Sequence, residues 1–310
     1  MKSEKKEDIV YDIVIMMSTY NGEIYIEKQL KSIANQTYKG KVLLLIRDDG
    51  STDSTIDIIQ KWKYKIEIKL ICDGKNVGPA YSFWRLLECA PEARYYAFVD
   101  QDDVWDYEKI AIAIDSLEKN KTKELWFSNC RLIGSNDEII AEKMNTSLPV
   151  LTVASQLVCG IAQGCAIVFT KQLRKICLEY KWTDIPMHDT VIICTALTRN
   201  SVMYNENPLF SYRQHSNNVV AKKGKNIFGK ISTTYREWFE KKHQVTKLAF
   251  DINNMKDTNI SSAENGFLID LVNSRYSILT RMKVINSKFI ISNNKRGVMS
   301  FKIRVLLGIV

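Results

Sequence analysis

Two short acidic strings stand directly behind apolar runs. Asp48-Asp49-Gly50-Ser51 follows Val42–Ile46, and Asp100-Gln101-Asp102-Asp103 follows Tyr95–Val99. If both runs are parallel strands of one sheet, five carboxylates meet at a single edge. Like charges at close range are costly unless a cation neutralises them. The clusters therefore ask for a hard divalent ion, Mn2+ or Mg2+, held by one or two carboxylates and completed by ligand phosphates. Each string alone also reads as a turn, because Asp and Gly are turn formers. Asp189 stands apart at the head of an apolar helical run, where it fits either a helix-starting residue or a base. His215 fits a structural histidine or a metal or diphosphate contact. Trp105 fits a ring that stacks on a sugar or one that fills the core. The glycines of Cys159-Gly160 and Gly164-Cys165 allow close backbone approach.

These residues need a scaffold, and the apolar pattern supplies one. Asp12–Met17, Lys41–Ile46, Ile66–Cys72 and Tyr95–Val99 read as strands. Tyr25–Ala34, Ser54–Trp62, Gly78–Cys89 and Tyr107–Lys119 between and after them carry helical spacing, with Pro79 in the first turn of its helix, where proline is favoured. This β-α-β-α order predicts an α/β fold with a mostly parallel sheet and helices on both faces. Right-handed crossovers place the C-terminal ends of the strands on one edge, where ligands of open α/β sheets bind. Leu125–Arg131, Gly164–Phe169, Ser201–Tyr204 and Leu209–Arg213 read as further strands, Lys171–Glu179 and Asp189–Leu197 as helices, and residues 134–158 as less regular. Helical runs follow at Tyr235–Phe250 and Gly266–Met282. The best boundary is Lys222-Lys223-Gly224-Lys225, which divides the chain into a catalytic domain (1–220) and a basic helical C-terminal region (221–310).

No GxGxxG follows the first strand and no GxxxxGK[ST] occurs, so a dinucleotide fold and a P-loop are excluded. Seven cysteines without a CxxC, and three histidines without zinc spacing, read as reduced thiols in a cytoplasmic protein. The charged N-terminus is not a secretory signal, and no apolar run approaches a membrane span.

The strings Ser18-Thr19-Tyr20-Asn21-Gly22, Asp48-Asp49-Gly50-Ser51, Asn76-Val77-Gly78, Asp100-Gln101-Asp102-Asp103-Val104-Trp105 and His188-Asp189, in this order, resemble the family 2 glycosyltransferases of the GT-A fold over roughly residues 10–215. Gly164-Cys165 and Tyr212–Asn218 resemble the bacterial rhamnosyltransferase-like branch in particular. The resemblance implies a dTDP- or UDP-sugar donor and a saccharide acceptor, lipid-linked in one version, in surface polysaccharide synthesis. It puts Thr19, Tyr20 and Asn21 at the nucleotide, Asp48 or Asp49 on the pyrimidine, and Asn76, Gln101, Trp105 and His188 on the substrate side. It implies that Asp100 touches ribose or metal, that Asp102 ligates the metal with a further contact from His215, and that Asp189 is the catalytic base. Thr190 departs from the family pattern, where a large aromatic is expected.

One base and one metal suffice for inverting displacement. The carboxylate takes the acceptor proton, and the cation stabilises the departing diphosphate. Glycoside hydrolysis would instead need a second carboxyl group to protonate the leaving oxygen. Two other readings stand beside this one. A catalytically silent assembly partner conflicts with the presence of every acid the chemistry needs. A sugar nucleotidyltransferase would want a Gly-rich basic loop where Ser18–Glu23 stands.

Charge is unevenly placed. Residues 1–220 hold 27 Lys and Arg against 29 Asp and Glu, a net of −2; residues 221–310 hold 17 against 6, a net of +11. In the tail, Met299, Ile303, Leu306 and Leu307 share a helical face among basic residues. That pattern predicts a segment drawn to anionic lipid, peripheral on the inner face of the plasma membrane. A dimer contact or a helix packed on its own domain are the alternatives. Nucleic acid is not expected, since no recognised module accompanies the charge.

Overall fold

The computed structural model describes residues 11–215, 242–292 and 294–310. The elements in chain order are β1 (Tyr11–Thr19), α1 (Ile26–Ala34), β2 (Val42–Asp48), α2 (Thr55–Trp62), β3 (Ile68–Cys72), α3 (Gly78–Cys89), β4 (Ala93–Asp100), β5 (Val104–Trp105), α4 (Lys109–Lys119), β6 (Leu125–Ile133), β7 (Ile139–Ala141), α5 (Val153–Cys159), β8 (Ile167–Thr170), α6 (Lys171–Glu179), α7 (His188–Thr198) and β9 (Val202–Arg213). Four more helices follow: α8 (Gln244–Asn253), α9 (Ser262–Asn273), α10 (Ile278–Ile285) and α11 (Lys295–Leu307).

One sheet runs in the order β3-β2-β1-β4-β8-β6-β9-β5, with β7 added to β6. β1, β2, β3 and β4 are parallel, as the alternation of apolar runs and helices predicts. β8 is antiparallel to both β4 and β6, and β9 is parallel to β6. Six strands therefore point one way. The interiors of β1, β2 and β4 are apolar and buried on both faces, which is the pattern of a sheet covered by helices. Register aligns their ends: Thr19 lies beside Asp48, and Ser18 beside Asp100. Both acidic strings thus emerge at one edge.

Three expectations need correction. The separate strands at Ser201–Tyr204 and Leu209–Arg213 are one strand, β9, whose register against β6 shifts near Asn129. That irregularity carries Glu206–Pro208 across the gap read as a break. Residues 134–158 contain β7 and α5; α5 is capped by Thr152 Oγ1, which accepts the Ser155 N–H, and six of its seven residues are buried. A helix buried on every side shows no amphipathic period. The run Gly266–Met282 is two helices, α9 and α10. The second starts at Ser277, whose hydroxyl accepts the Thr280 N–H.

The C-terminal helices share the core of the sheet domain. Asp251 on α8 accepts the Thr183 N–H at 2.8 Å and its hydroxyl at 2.6 Å. Glu264 on α9 accepts the Ala154 N–H at 2.9 Å, at the first turn of α5. Leu248, Phe267, Leu271, Phe301 and Val305 join the same continuous cluster of buried side chains as β1 and β4. The boundary read at Lys222–Lys225, and the start of the run Tyr235–Phe250, lie outside the described residues.

Candidate active site

The loops after β1 and β2 are stitched together by short polar side chains. Asp48 is buried and its four acceptor positions are filled: Oδ1 by the Thr19 and Ser51 hydroxyls, Oδ2 by the Gly50 and Ser51 N–H groups. Asn21, in the left-handed region at φ 46°, accepts the Thr52 N–H with its side chain. Gln101 pairs in both directions with the backbone of Tyr20, at 3.0 Å each way. Tyr20 itself stays exposed, as does Asn76. Asp49 accepts from Arg47 and from the Val77 and Gly78 N–H groups at the start of α3. Thr19, Asn21, Asp48, Asp49 and Gln101 thus hold the loops after β1, β2 and β4 to one another and to the start of α3. Asp48 and Asp49 do not add to the second acidic string, because their charges are spent on the turn and on Arg47.

The second acidic string emerges at the same edge, after β4. Burial, and then the charge of Asp102, push the Asp100 carboxyl well above the usual carboxylate range. Asp189 adds to that push, so the helix-borne acid and the strand-end acid share one field. Asp102 Oδ2 lies 2.8 Å from His215 Nε2. His215 stacks on Tyr25 at 4.9 Å between ring centres, and the Arg213 guanidinium covers the same ring at 4.6 Å. Among the described residues, three potential ligand atoms come within 4.8 Å of one another at Asp100, Asp103 and Cys165. The grouping of Asp100 with Asp102 and His215 is therefore not closed; Asp100 turns instead toward Asp103 and Cys165. Burial, and then the charges of Asp103 and Asp100, push the Cys165 thiol up, so it stays protonated. A protonated thiol is a poor ligand for a hard cation.

Asp189 sits half-buried in the first turn of α7. Its Oδ1 accepts the Thr190 N–H at 2.6 Å and faces the Thr190 hydroxyl at 3.3 Å. The 3-10 turn Gly164–Ala166 passes so close that a Cβ at Gly164 would meet His188 Nε2 at 3.0 Å and the Asp189 Cβ at 3.2 Å. Only glycine fits that approach without displacing the acid.

Two expected substrate contacts are corrected. Trp105 is 1% exposed and packs in the core around Lys109, so it offers no face to a sugar. His188 is 3% exposed, stacked on Phe83 at 4.2 Å with its ring edge-on to Phe98 at 4.6 Å. Burial lowers its pKa to about 4, and the ring is a neutral wedge behind Asp189.

Sequence reading also missed residues that organise the site. Arg213 is fully buried: its backbone N–H donates to Asp103, its Nε to the Asp102 carbonyl, and its Nη1 pairs with Asp137 at 2.6 Å. It lies within the string Tyr212–Asn218, which was the available signal. Lys109 is buried among Trp105, Trp126 and Phe210, and donates to the Ala166 carbonyl at 3.1 Å. Burial lowers its pKa to about 8. A lysine heading the apolar run Ile110–Ile114 looks like any exposed helix start, so nothing in the sequence marked it.

Acids at the C-terminal edge of a parallel sheet, with the Asp189 carboxylate on a neighbouring helix, put this polar chemistry where open α/β sheets bind ligands. The model of the family "Glycosyl transferase family 2" matches residues 14–138. The dTDP-rhamnosyl transferase RfbG of Shigella flexneri is 31% identical over 250 residues, covering 75% of this chain and 83% of that protein. The chain belongs to the family 2 glycosyltransferases. Its GT-A fold is also that of Staphylococcus aureus TarS 1–349, solved with UDP-GlcNAc (TM-score 0.62, 16% identity, 95% of this chain and 89% of that one). The mannosyltransferase PcManGT of Pyrobaculum calidifontis, solved with GDP-Man and Mn2+, superposes at a TM-score of 0.55 and 16% identity, over 91% and 76% of the two chains. Among the described residues no helix is long and apolar enough to cross a membrane.

Proposed function

We propose that this glycosyltransferase inverts the anomeric centre of a hexose as it moves it from a dTDP- or UDP-sugar to a hydroxyl of a saccharide acceptor, in the building of a surface polysaccharide. The relationship to RfbG favours dTDP-rhamnose as the donor. The observation that carries the mechanism is the turn Gly164–Ala166, which lies against Asp189 at Gly164 and brings Cys165 within 4.8 Å of the Asp100 and Asp103 carboxylates, so that the helix-borne acid and the strand-end acids meet at one place.

Asp189 is the base. Thr190 occupies Oδ1, which leaves Oδ2 to take the proton of the attacking hydroxyl. Gly164 keeps the space in front of the carboxylate clear. Tyr20 and Asn76 are the exposed side chains of the donor pocket, and Gln101 fixes Tyr20 there. The Asp102 carboxylate and the His215 imidazole, 2.8 Å apart, would hold a Mn2+ or Mg2+ ion, because oxygen and imidazole donors suit such ions; Asp100 would join them only by turning away from Asp103 and Cys165. Such an ion, when bound, supplies Lewis-acid stabilisation of the departing diphosphate. Arg213 holds the Asp102 carbonyl through Nε and the Asp103 carboxylate through its backbone N–H, which fixes the turn that carries Asp102.

Calorimetric titration with UDP, dTDP and GDP, each with and without Mn2+, tests the reading. Tight binding of a pyrimidine diphosphate only with metal, and its loss in Asp102→Ala, is the expected result. Absence of diphosphate binding under every condition would overturn the donor site.

A further inference from the structure

Among the described residues, the last two helices leave an apolar, basic face uncovered. On α11, Val298, Phe301 and Val305 turn toward the body and pack on its core. Met299, Ile303, Leu306 and Leu307, spaced i, i+4, i+7 and i+8, form a second stripe that is open to solvent; Met299 is 60% exposed. On α10 only Val284 is buried, while Ile278, Leu279 and Met282 are exposed, Leu279 at 74%. Arg281 fastens the two helices, its Nε donating to the Ser274 carbonyl and its Nη1 to that of Leu306 at 3.0 Å.

The charge around these stripes has one sign. Residues 271–310 contain eight Lys and Arg and no Asp or Glu. Lys283, Lys288, Lys295 and Arg296 are exposed, and Lys302 is half-exposed. On the α11 wheel Lys295 and Lys302 flank one side of the apolar stripe, and Arg296 lies within it. A helix of 13 residues is about 20 Å long, too short to span a bilayer but long enough to lie in its headgroup layer.

We propose that the exposed faces of α10 and α11 dock this enzyme flat on an anionic lipid bilayer, with the aliphatic side chains entering the headgroup boundary and the cations meeting lipid phosphates. Charge complementarity selects this occupant. A two-fold contact with a second copy would set cation against cation, since the same patch faces itself. A nucleic-acid backbone would satisfy the cations but give no apolar partner to Met299, Ile303, Leu306 and Leu307. A bilayer surface offers both at the depth an interfacial helix occupies. The proposal stands apart from the transfer chemistry.

Co-sedimentation of the full chain with vesicles of phosphatidylglycerol and phosphatidylcholine, against vesicles of phosphatidylcholine alone, tests it. Binding to the anionic vesicles, weakened by high salt, is expected. Each of Lys295→Gln, Arg296→Gln and Lys302→Gln should weaken it about fivefold. The double variant Met299→Gln/Ile303→Gln should weaken it roughly tenfold or more through lost apolar insertion. These side chains lie on the surface, so the thermal midpoint should stay unchanged. Equal pelleting of parent and double variant, or no pelleting with anionic vesicles, would overturn the proposal. So would a concentration-dependent dimer that the double variant splits while vesicle binding is unaltered.

Discussion

Asp189 accepts two contacts from Thr190 on one oxygen and has its other side kept open by a glycine, which suits a carboxylate that must receive a proton. Asp189→Asn removes the proton acceptor while preserving shape. Its turnover should fall by about 10²- to 10⁴-fold with donor-diphosphate affinity retained, as initial rates and calorimetry would read. The neighbouring His188 gives a pH signature. Its folded pKa of about 4 lies below the ordinary 6.5, so the unfolded chain binds the proton more readily. Its stabilising contribution is full above 6.5 and declines as pH falls toward 4, by on the order of 3 kcal/mol. Asp100, with a raised pKa, acts in the opposite sense, so the difference between the parent chain and His188→Phe isolates the histidine. The variant should lose less stability between pH 7 and pH 4.5 than the parent, as denaturant titration at the two pH values would show.

At the level of elements, the β2–α3 junction rests on a buried ion pair. Arg47 is 1% exposed and bonds Asp49, Asp73, the Ser82 hydroxyl and the Lys75 carbonyl. Asp49 in turn caps two N–H groups at the start of α3. Asp49→Ala leaves a buried cation short of its closest partner, and should cost about 3–5 kcal/mol in a urea unfolding experiment. The turn Gly164–Ala166 is the matching device beside Asp189, braced by Lys109 through the Ala166 carbonyl. Gly164→Ala should depress kcat more than donor affinity, because the added carbon presses on Asp189 and not on the nucleotide pocket.

For the whole molecule, the C-terminal helices complete the core of the sheet domain. α9 holds the start of α5 through Glu264, and α8 holds the segment before α7 through Asp251. Since α7 carries Asp189, the proposed base, the tail braces the segment that leads into that helix. The full chain should unfold in one transition, with tryptophan fluorescence and far-ultraviolet circular dichroism coinciding. Separate transitions for the sheet and the C-terminal helices would show that the two parts are independent.

The apolar runs of β1, β2 and β4 and the helices between them were legible because burial on both faces leaves only a continuous apolar signal, and short parallel connections restrict the topology. The acids at the strand ends were legible for the same reason, since strand direction fixes where their side chains emerge. What separate strings cannot encode is which carboxylates stay available. Asp48 and Asp49 look equivalent to Asp100 and Asp102 in sequence, and only the tertiary structure assigns the first pair to a turn and to Arg47. Trp105 and His188 likewise read as ligand contacts until packing closes over them. Lys109 and Arg213 reach the site from distant positions, and their worth comes from partners brought near by folding. The basic, apolar character of the tail was fixed by its composition; that α11 spends Phe301 and Val305 on the core and leaves Met299 and Ile303 to solvent was decided by how the helix docks.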